Sequence, residues 1–510
     1  MSDTQGLTLF TDWYSVWPGN VGFKEDGLSE LVDVPWGVRL AVQPAVTTDP
    51  VLQSNRPWES RLGYPCVVRD GASWKMWYLV TAVERDTRTR EVKRDTDFDP
   101  MAGKFEGAKK QDFVCYAESD DGFTWRKPEL GLHEFASSTA NNIVLALGKR
   151  RFESVFRDRD GGYRMLIHGD PIPGGNTAWK AMRSLSSSDG LHWTPDEEPV
   201  LDMHCDTQNV AFYDKQLQQY VCYVRYTRGW RRSVARTAGP EFRHLPHPEI
   251  VFEPDSQDDP SLDIYTPAYS RHPDYRAATR RDTFDRMGRD EGIERHHDAR
   301  DMHFLFPAMY HRNRDVLDIH LATSRDGRAW SRPERKPIIP LGPQGSGAGN
   351  TLYAAPGIHV LEPGRWGVIY SASDALHNTA FTDPDSQRDS TYRWATWQEN
   401  RLVALQADAE GACTVTLCAR AARELRFNYQ AEAGGSIRVE LITRQGLWPP
   451  TGPTPVAGYT FAECDPLTGD SLAQPVTWNG IGALPDGDED DHTVLRLRLT
   501  RAKLFAIAWA

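Results

Sequence analysis

The chain has 510 residues, 39% of them apolar and 25% charged, which is the composition of a multi-domain globular protein able to bury a large core and excludes a disordered, fibrous or small disulfide-stapled fold. Its 59 Lys and Arg against 71 Asp and Glu leave a formal charge of −12 without a basic stripe, so neither a nucleic acid nor an anionic membrane has electrostatic support as a partner. Seven cysteines with no C-x-x-C pair speak against a disulfide framework or a zinc cluster, and the start MSDTQGLTLF followed by no apolar run of spanning length predicts a cytoplasmic location.

In chain order, residues 1–34 are expected to form an N-terminal segment packed on the body of the protein. From residue 35 the sequence repeats a hairpin unit, in which β-branched and aromatic residues at period two flank a polar turn. The copies read YPCVVRDGASWKMWYLV (64–80), SVFRDRDGGYRMLIHG (154–169), NVAFYDKQLQQYVCYVRY (209–226) and GIHVLEPGRWGVIYSAS (357–373). A further copy is assembled from DIYTPAYS (263–270) and MHFLFPAMYHR (302–312) around a charged insert. A second pattern, Ser-x-Asp-Gly-x-x-Trp, recurs at 119–125, 187–193 and 324–330, with the tryptophans 68 and 137 residues apart. Because 137 is close to twice 68, a degenerate copy is expected between the last two, and Ser233 to Phe242 has the right character. In these turns Ser and Asp satisfy backbone amides and Trp packs between sheets. Repetition of a hairpin, an outer strand and this turn predicts an all-β protein with a five-bladed β-propeller over 35–398.

Two stretches break the period, 83–112 and 272–301, both rich in charge and poor in apolar residues, and read as insertions and not as blades. The second contains His296-His297-Asp298, whose adjacent side chains on a polar loop do not read as a metal site. After Trp397 the turn motif stops. Alternating segments at 401–419, 423–431, 436–443 and 493–510 predict a C-terminal antiparallel β-sandwich over 399–510.

The first strand of each propeller blade lines the central channel, so acids just before those strands converge on one pocket. Glu59, Asp206 and Asp263 occupy such positions in three blades, with Glu153 a weaker candidate in a fourth. Trp58, Arg61, Tyr64, Gln208, Asn209, Tyr265, Tyr353 and His377 accompany them as expected substrate contacts. Carboxylates facing one another across a pocket of aromatic and amide groups suit glycosidic bond cleavage, in which one acid donates a proton and another attacks or activates water.

The layout resembles the five-bladed propeller glycosidases of the invertase, levanase and arabinanase group, glycoside hydrolase families 32, 43 and 68, on the strength of the WKMWY strand, the Ser-x-Asp-Gly-x-x-Trp turns, DTQNVAFYD and a tail reading GGSIRVEL. The resemblance implies an exo-acting glycosidase on a furanoside or short oligosaccharide. Trp58-Glu59 stands where the group's nucleophile motif falls, which makes Glu59 the nucleophile or base, and Cys205-Asp206 stands at the acid motif, which makes Asp206 the general acid. Asp263 is then the transition-state stabiliser or an orienting group. The group's Trp-x-Asn-Asp-Pro-Asn and Arg-Asp-Pro motifs are absent as such. Two alternatives stay open: a non-catalytic carbohydrate-binding propeller, and a propeller phosphorylase, which requires Arg, Lys or His clustered beside the acid to hold phosphate. The expected partner is a carbohydrate. No cofactor or catalytic metal is expected; a structural calcium in the channel and a homo-oligomer are left open.

Overall fold

The computed structural model describes residues 6–23, 29–85, 108–148, 150–170, 172–173, 175, 181–275, 299–378, 390–420, 423–443, 454–485 and 492–509. Most of both predicted insertions, including His296-His297-Asp298, lies outside the described residues. No helix among the described residues is long and apolar enough to cross a membrane.

Five antiparallel sheets are arranged in a ring. Blade I comprises Arg61–Asp70, Ser73–Arg85, Ala108–Ser119 and Ile143–Ala146. Blade II comprises Arg151–Arg157, Tyr163–Gly169, Ala181–Ser187 and Thr194–Pro195, and blade III Val210–Asp214, Gln219–Arg228, Arg231–Gly239 and Glu249–Phe252. In blade IV each long strand is broken in two: Leu262–Thr266 pairs with Ala308–His311 and that with Val316–Ile319, while Tyr269–Arg271 pairs with His303–Leu305 and that with Ala322–Ser324. Its outer position is held by the bridges Ile319 to Ile339 and Thr323 to Ser331. Blade V uses Thr351–Ala354, Arg365–Ser373 and Thr391–Gln398. Neighbouring blades touch in sequence around the ring, and Arg365–Ser373 of blade V returns to Arg61–Asp70 of blade I.

The fourth strand of blade V comes from the start of the chain. Val46–Thr47 and Leu52–Gln53 pair with Thr396, Ala395, Tyr392 and Thr391, so backbone hydrogen bonding between the two ends of the propeller closes the ring.

The repeated turns stitch blade to blade. In the first, the Ser119 hydroxyl accepts from the Gly122 amide, Asp121 accepts from the Phe123 and Thr124 amides, and Trp125 donates to the Gly122 carbonyl. The same Gly122 carbonyl accepts from Trp394 of blade V, the Gly190 carbonyl accepts from Trp77 of blade I, and the Gly327 carbonyl accepts from Tyr223 of blade III. Glycine is required here twice over: Gly190 has φ +82°, and a Cβ there would stand 2.5 Å from the Trp77 ring. The degenerate copy is present, with Phe242 buried against Phe156 and Tyr220 after the third strand of blade III.

The C-terminal region is built from three long strands, Val403–Arg420, Leu425–Thr443 and His492–Trp509, in one seven-stranded sheet. The register slips at Ala407/Glu410 and at Ala431/Ser436, where bulges bend the strands. Residues from both halves, among them Leu405, Leu425 and Leu504 on one side of the bends and Val415, Val439 and Leu497 on the other, join one hydrophobic cluster that continues into blades IV and V through Phe304, Phe306, Trp366 and Val368. The segment 425–443, read above as two strands, is one bent strand. Gly6–Leu9 and Arg39–Val42 also belong to this sheet, paired with Ala506 to Trp509 and with Val403 to Gln406. Every cysteine whose side chain is described is a buried free thiol.

Candidate active site

An open, predominantly polar cavity of about 490 Å3 lies at the mouth of blades III, IV and V, lined by His204, Asp206, Arg225, Thr227, Trp230, Arg232, Tyr310, Arg312, His377 and Asn378. Its walls follow from register. Thr227 pairs across the hairpin with Arg232, and Arg225 lies two residues before Thr227, so alternation puts Arg225, Thr227 and Arg232 on one face. The turn of that hairpin is the dipeptide Gly229-Trp230, with φ of +56° and +66°, the left-handed pair that a two-residue hairpin turn requires. It leaves the Trp230 side chain 87% exposed at the rim.

Asp206 stands in the loop that enters the first strand of blade III. Its side chain is 54% exposed and accepts from Arg225 Nη2 at 2.9 Å. Burial of its surroundings favours the neutral form, but Arg225, then Arg151, His168 and His204, outweigh it and hold the carboxyl below its ordinary value. Arg225 is itself buried, lies over the Tyr265 ring at 4.7 Å, and has its Nη1 without a hydrogen-bond partner among the described residues. Arg232 lies over the same ring at 5.2 Å. Tyr265 therefore forms a floor under two guanidinium groups. His377 contacts the edge of that floor, shares a 2.8 Å hydrogen bond with the Tyr353 hydroxyl, and is pushed down to about 3 by burial and by Arg61, Arg232 and Arg225, so it is neutral at physiological pH.

Of the residues expected at the site, Asp206 and His377 line the cavity, and Tyr265, Tyr353, Tyr64 and Arg61 stand around it. Tyr64 packs edge-on against Tyr353 and shares a hydrogen bond with Thr207, and burial pushes its hydroxyl upward. The half-buried Arg61 acts on both Tyr353 and His377 by its charge.

The other expectations are corrected. Glu59 does not reach the cavity: its side chain is fully buried and accepts from the Tyr78 hydroxyl, the Asn55 and Arg56 amides and Lys127 Nζ at 2.7 Å. Both of its oxygens are committed to protein donors. Trp58 packs edge-on against Phe135 and donates to Asn142 Oδ1, a core role. Asp263, 1% exposed, does not face a sugar either; its Oδ2 accepts from Arg232 Nη1 at 2.6 Å and Arg312 Nε at 2.7 Å, and its Oδ1 from the Arg232 amide. It orients two of the cavity's three arginines. Asn209 holds the Cys205 and Thr207 carbonyls and accepts from the Arg225 amide, which shapes the loop carrying His204 and Asp206. Gln208 is fully buried and donates to the Pro65 carbonyl. Glu153 lies buried beside His168, whose ring packs tilted against His204, and burial raises its carboxyl. Among the described lining residues Asp206 is the one carboxylate, set against Arg225, Arg232 and Arg312.

No protein-family model matches the chain, and no curated protein matches it. Solved structures that resemble it include a beta-1,2-mannobiose phosphorylase from Listeria innocua in complex with beta-1,2-mannobiose, 12% identical over 78% of this chain and 99% of that one with a TM-score of 0.43. A glycosyl hydrolase from Bacteroides ovatus is 13% identical over 71% of this chain and 96% of that one, with a TM-score of 0.39. A family 43 arabinoxylan arabinofuranohydrolase from Bacillus subtilis is 10% identical over 91% of this chain and 99% of that one, with a TM-score of 0.37.

Proposed function

We propose that this protein is a carbohydrate-active enzyme that cleaves a glycosidic bond with inorganic phosphate as the attacking group. The observation that carries this reading is the composition of the cavity wall, a single carboxylate with three convergent arginines. Hydrolysis by paired acids needs two carboxylates facing the scissile bond, and neither Glu59 nor Asp263 lines the cavity, both being buried and bonded to protein donors. Phosphorolysis with a single displacement needs one proton donor and a site for the anion. Guanidinium groups held in fixed orientation are suited to phosphate oxygens, and Asp263 fixes Arg232 and Arg312 in that way.

In this reading Arg232 and Arg312 hold phosphate and Asp206 protonates the leaving oxygen. A phosphate oxygen forms a bond to the anomeric carbon as the carbon–oxygen bond to the leaving sugar breaks. The Asp206 proton passes to that oxygen, and the proton carried by hydrogen phosphate restores Asp206. The products are a sugar 1-phosphate and a saccharide one unit shorter. Against the burial that favours its neutral form, Arg225 and Arg151 hold the Asp206 carboxyl below its ordinary value in the free protein; a bound phosphate dianion opposes that field and raises the carboxyl, so the acid is armed when the co-substrate is in place.

The test is turnover of a panel of short oligosaccharides with and without inorganic phosphate, read by chromatography and phosphorus NMR. Sugar 1-phosphate that appears only with phosphate supports the proposal. Equal cleavage in phosphate-free buffer, or cleavage confined to sugars that carry their own carboxylate, overturns it in favour of hydrolysis.

Trp230 offers the flat apolar face on which a sugar ring stacks. Trp230→Gly is expected to raise KM for the saccharide about 5- to 10-fold with kcat little changed. The same substitution removes a left-handed non-glycine residue, which costs about 1 kcal/mol, so the melting temperature should hold or rise. Steady-state kinetics alongside thermal unfolding separate the two effects.

A further inference from the structure

Blade IV carries a second cluster on the opposite face of the hairpin whose Tyr310 and Arg312 serve the cavity. We propose that His311, Asp318 and His320 bind a divalent transition metal ion, with zinc the best fit to their donors. His311 Nε2 and His320 Nε2 each stand 3.2 Å from Asp318 Oδ1, and one donor atom from each of the three falls within 4.8 Å of the others. Nitrogen and oxygen ligands about 2.0 to 2.2 Å from a tetrahedral zinc ion lie about 3.3 to 3.5 Å apart, so both His–Asp separations are near the required value, and the two imidazole nitrogens, within 4.8 Å of each other, need only be brought closer by ring rotation. None of the three side chains has a hydrogen-bond partner outside the cluster among the described residues, and among them the buried His320 Nδ1 is unpartnered.

The chain dictates this convergence. Asp318 lies opposite Met309 and His311 opposite Val316 in the ladder, which sets His311 and Asp318 diagonally on one face, and His320 follows just past the end of the Val316–Ile319 strand, its Nε2 returning to Asp318. Two imidazoles and one carboxylate are a donor set that zinc, cobalt and iron accept and that calcium and magnesium do not favour. Asp318 and His320 are 8% and 6% exposed, whereas the His311 side chain is 18% exposed. The His311 side is therefore the side of the cluster open to solvent. A metal here would pin the hairpin from which Arg312 reaches the cavity.

The experiment uses the full chain, dialysed against a chelator and titrated with Zn2+ by calorimetry, with Co2+ absorption as a second readout. One equivalent should bind, with a rise in melting temperature, and a His296→Ala/His297→Ala variant should bind it equally. His311→Gln and Asp318→Asn should each abolish that equivalent and the Co2+ bands characteristic of a low-coordinate nitrogen–oxygen site, while melting in chelator stays close to that of the unsubstituted protein. His311→Gln, at the more exposed position, keeps the test decisive if Asp318→Asn fails to fold. Absence of a bound equivalent in the unsubstituted chain, or its persistence in His311→Gln, overturns the proposal.

Discussion

Asp206→Asn is expected to lower phosphorolysis of an unactivated glycoside by about 10²- to 10⁴-fold, the usual contribution of a positioned proton donor. Phosphate affinity should be kept or improved. The direction follows from the wall of the cavity: asparagine matches the carboxyl in size and retains an oxygen for Arg225 Nη2, but it removes one negative charge beside three arginines. The loss should therefore fall on kcat and not on KM for phosphate. A substrate with a nitrophenyl leaving group, which departs without protonation, should recover most of the rate, and that recovery distinguishes a lost proton donor from a damaged pocket. Because the side chain is half exposed and the loop is held by Asn209, the melting temperature should change little. Wild-type turnover of the unactivated substrate by a folded Asp206→Asn protein would remove Asp206 from the mechanism.

Glu59→Gln should do the reverse, with activity per folded molecule retained and stability lost. Glu59 and Lys127 have side-chain exposures of 0% and 7%. Burial already pulls the Lys127 ammonium below its ordinary value against the opposing pull of Glu59. Removal of the carboxylate leaves that ammonium without its counter-charge, and the new amide NH2 must replace an acceptor either for Tyr78 or for Asn55, Arg56 and Lys127. Breaking one partner of a buried pair costs about 3 to 5 kcal/mol, so denaturant unfolding should show the loss at once. A variant as stable as the unsubstituted protein but catalytically dead would restore Glu59 to the site.

These two acids show what can and cannot be read from a linear sequence. Both precede the first strand of a blade, which is why both stood out. The direction of each side chain depends on the local path: the Asp206 loop, tied by Asn209, projects outward, whereas the chain before Arg61 turns back so that Glu59 accepts the Asn55 and Arg56 amides. The Ser-x-Asp-Gly-x-x-Trp turns were legible because their hydrogen bonds run between residues two or three apart and therefore impose a fixed spacing. The arginines were not. Arg225 and Arg232 become neighbours only through the Thr227 to Arg232 register, and Arg312 joins them from the next blade through Asp263, a contact spanning 49 residues. The alternation in VRYTRGWRR was the available hint, since a two-residue Gly-Trp turn within it fixes which side chains share a face. The closing strand of blade V was equally hidden, being too short at Val46–Thr47 and Leu52–Gln53 to show any period.

That closing strand also sets the order in which the protein can be completed during translation. Thr396 donates its hydroxyl hydrogen to the Val46 carbonyl across 350 positions, and Gly6–Leu9 finds its ladder only with Ala506 to Trp509. These segments thus leave the ribosome long before their partners are made, and the cost of bringing such distant stretches together falls late in assembly. A nascent chain stopped before residue 391 would leave the Arg365–Ser373 edge of blade V raw and Val46–Thr47 and Leu52–Gln53 without a strand to pair with, making premature termination far more hazardous for this architecture than for one built of locally paired units.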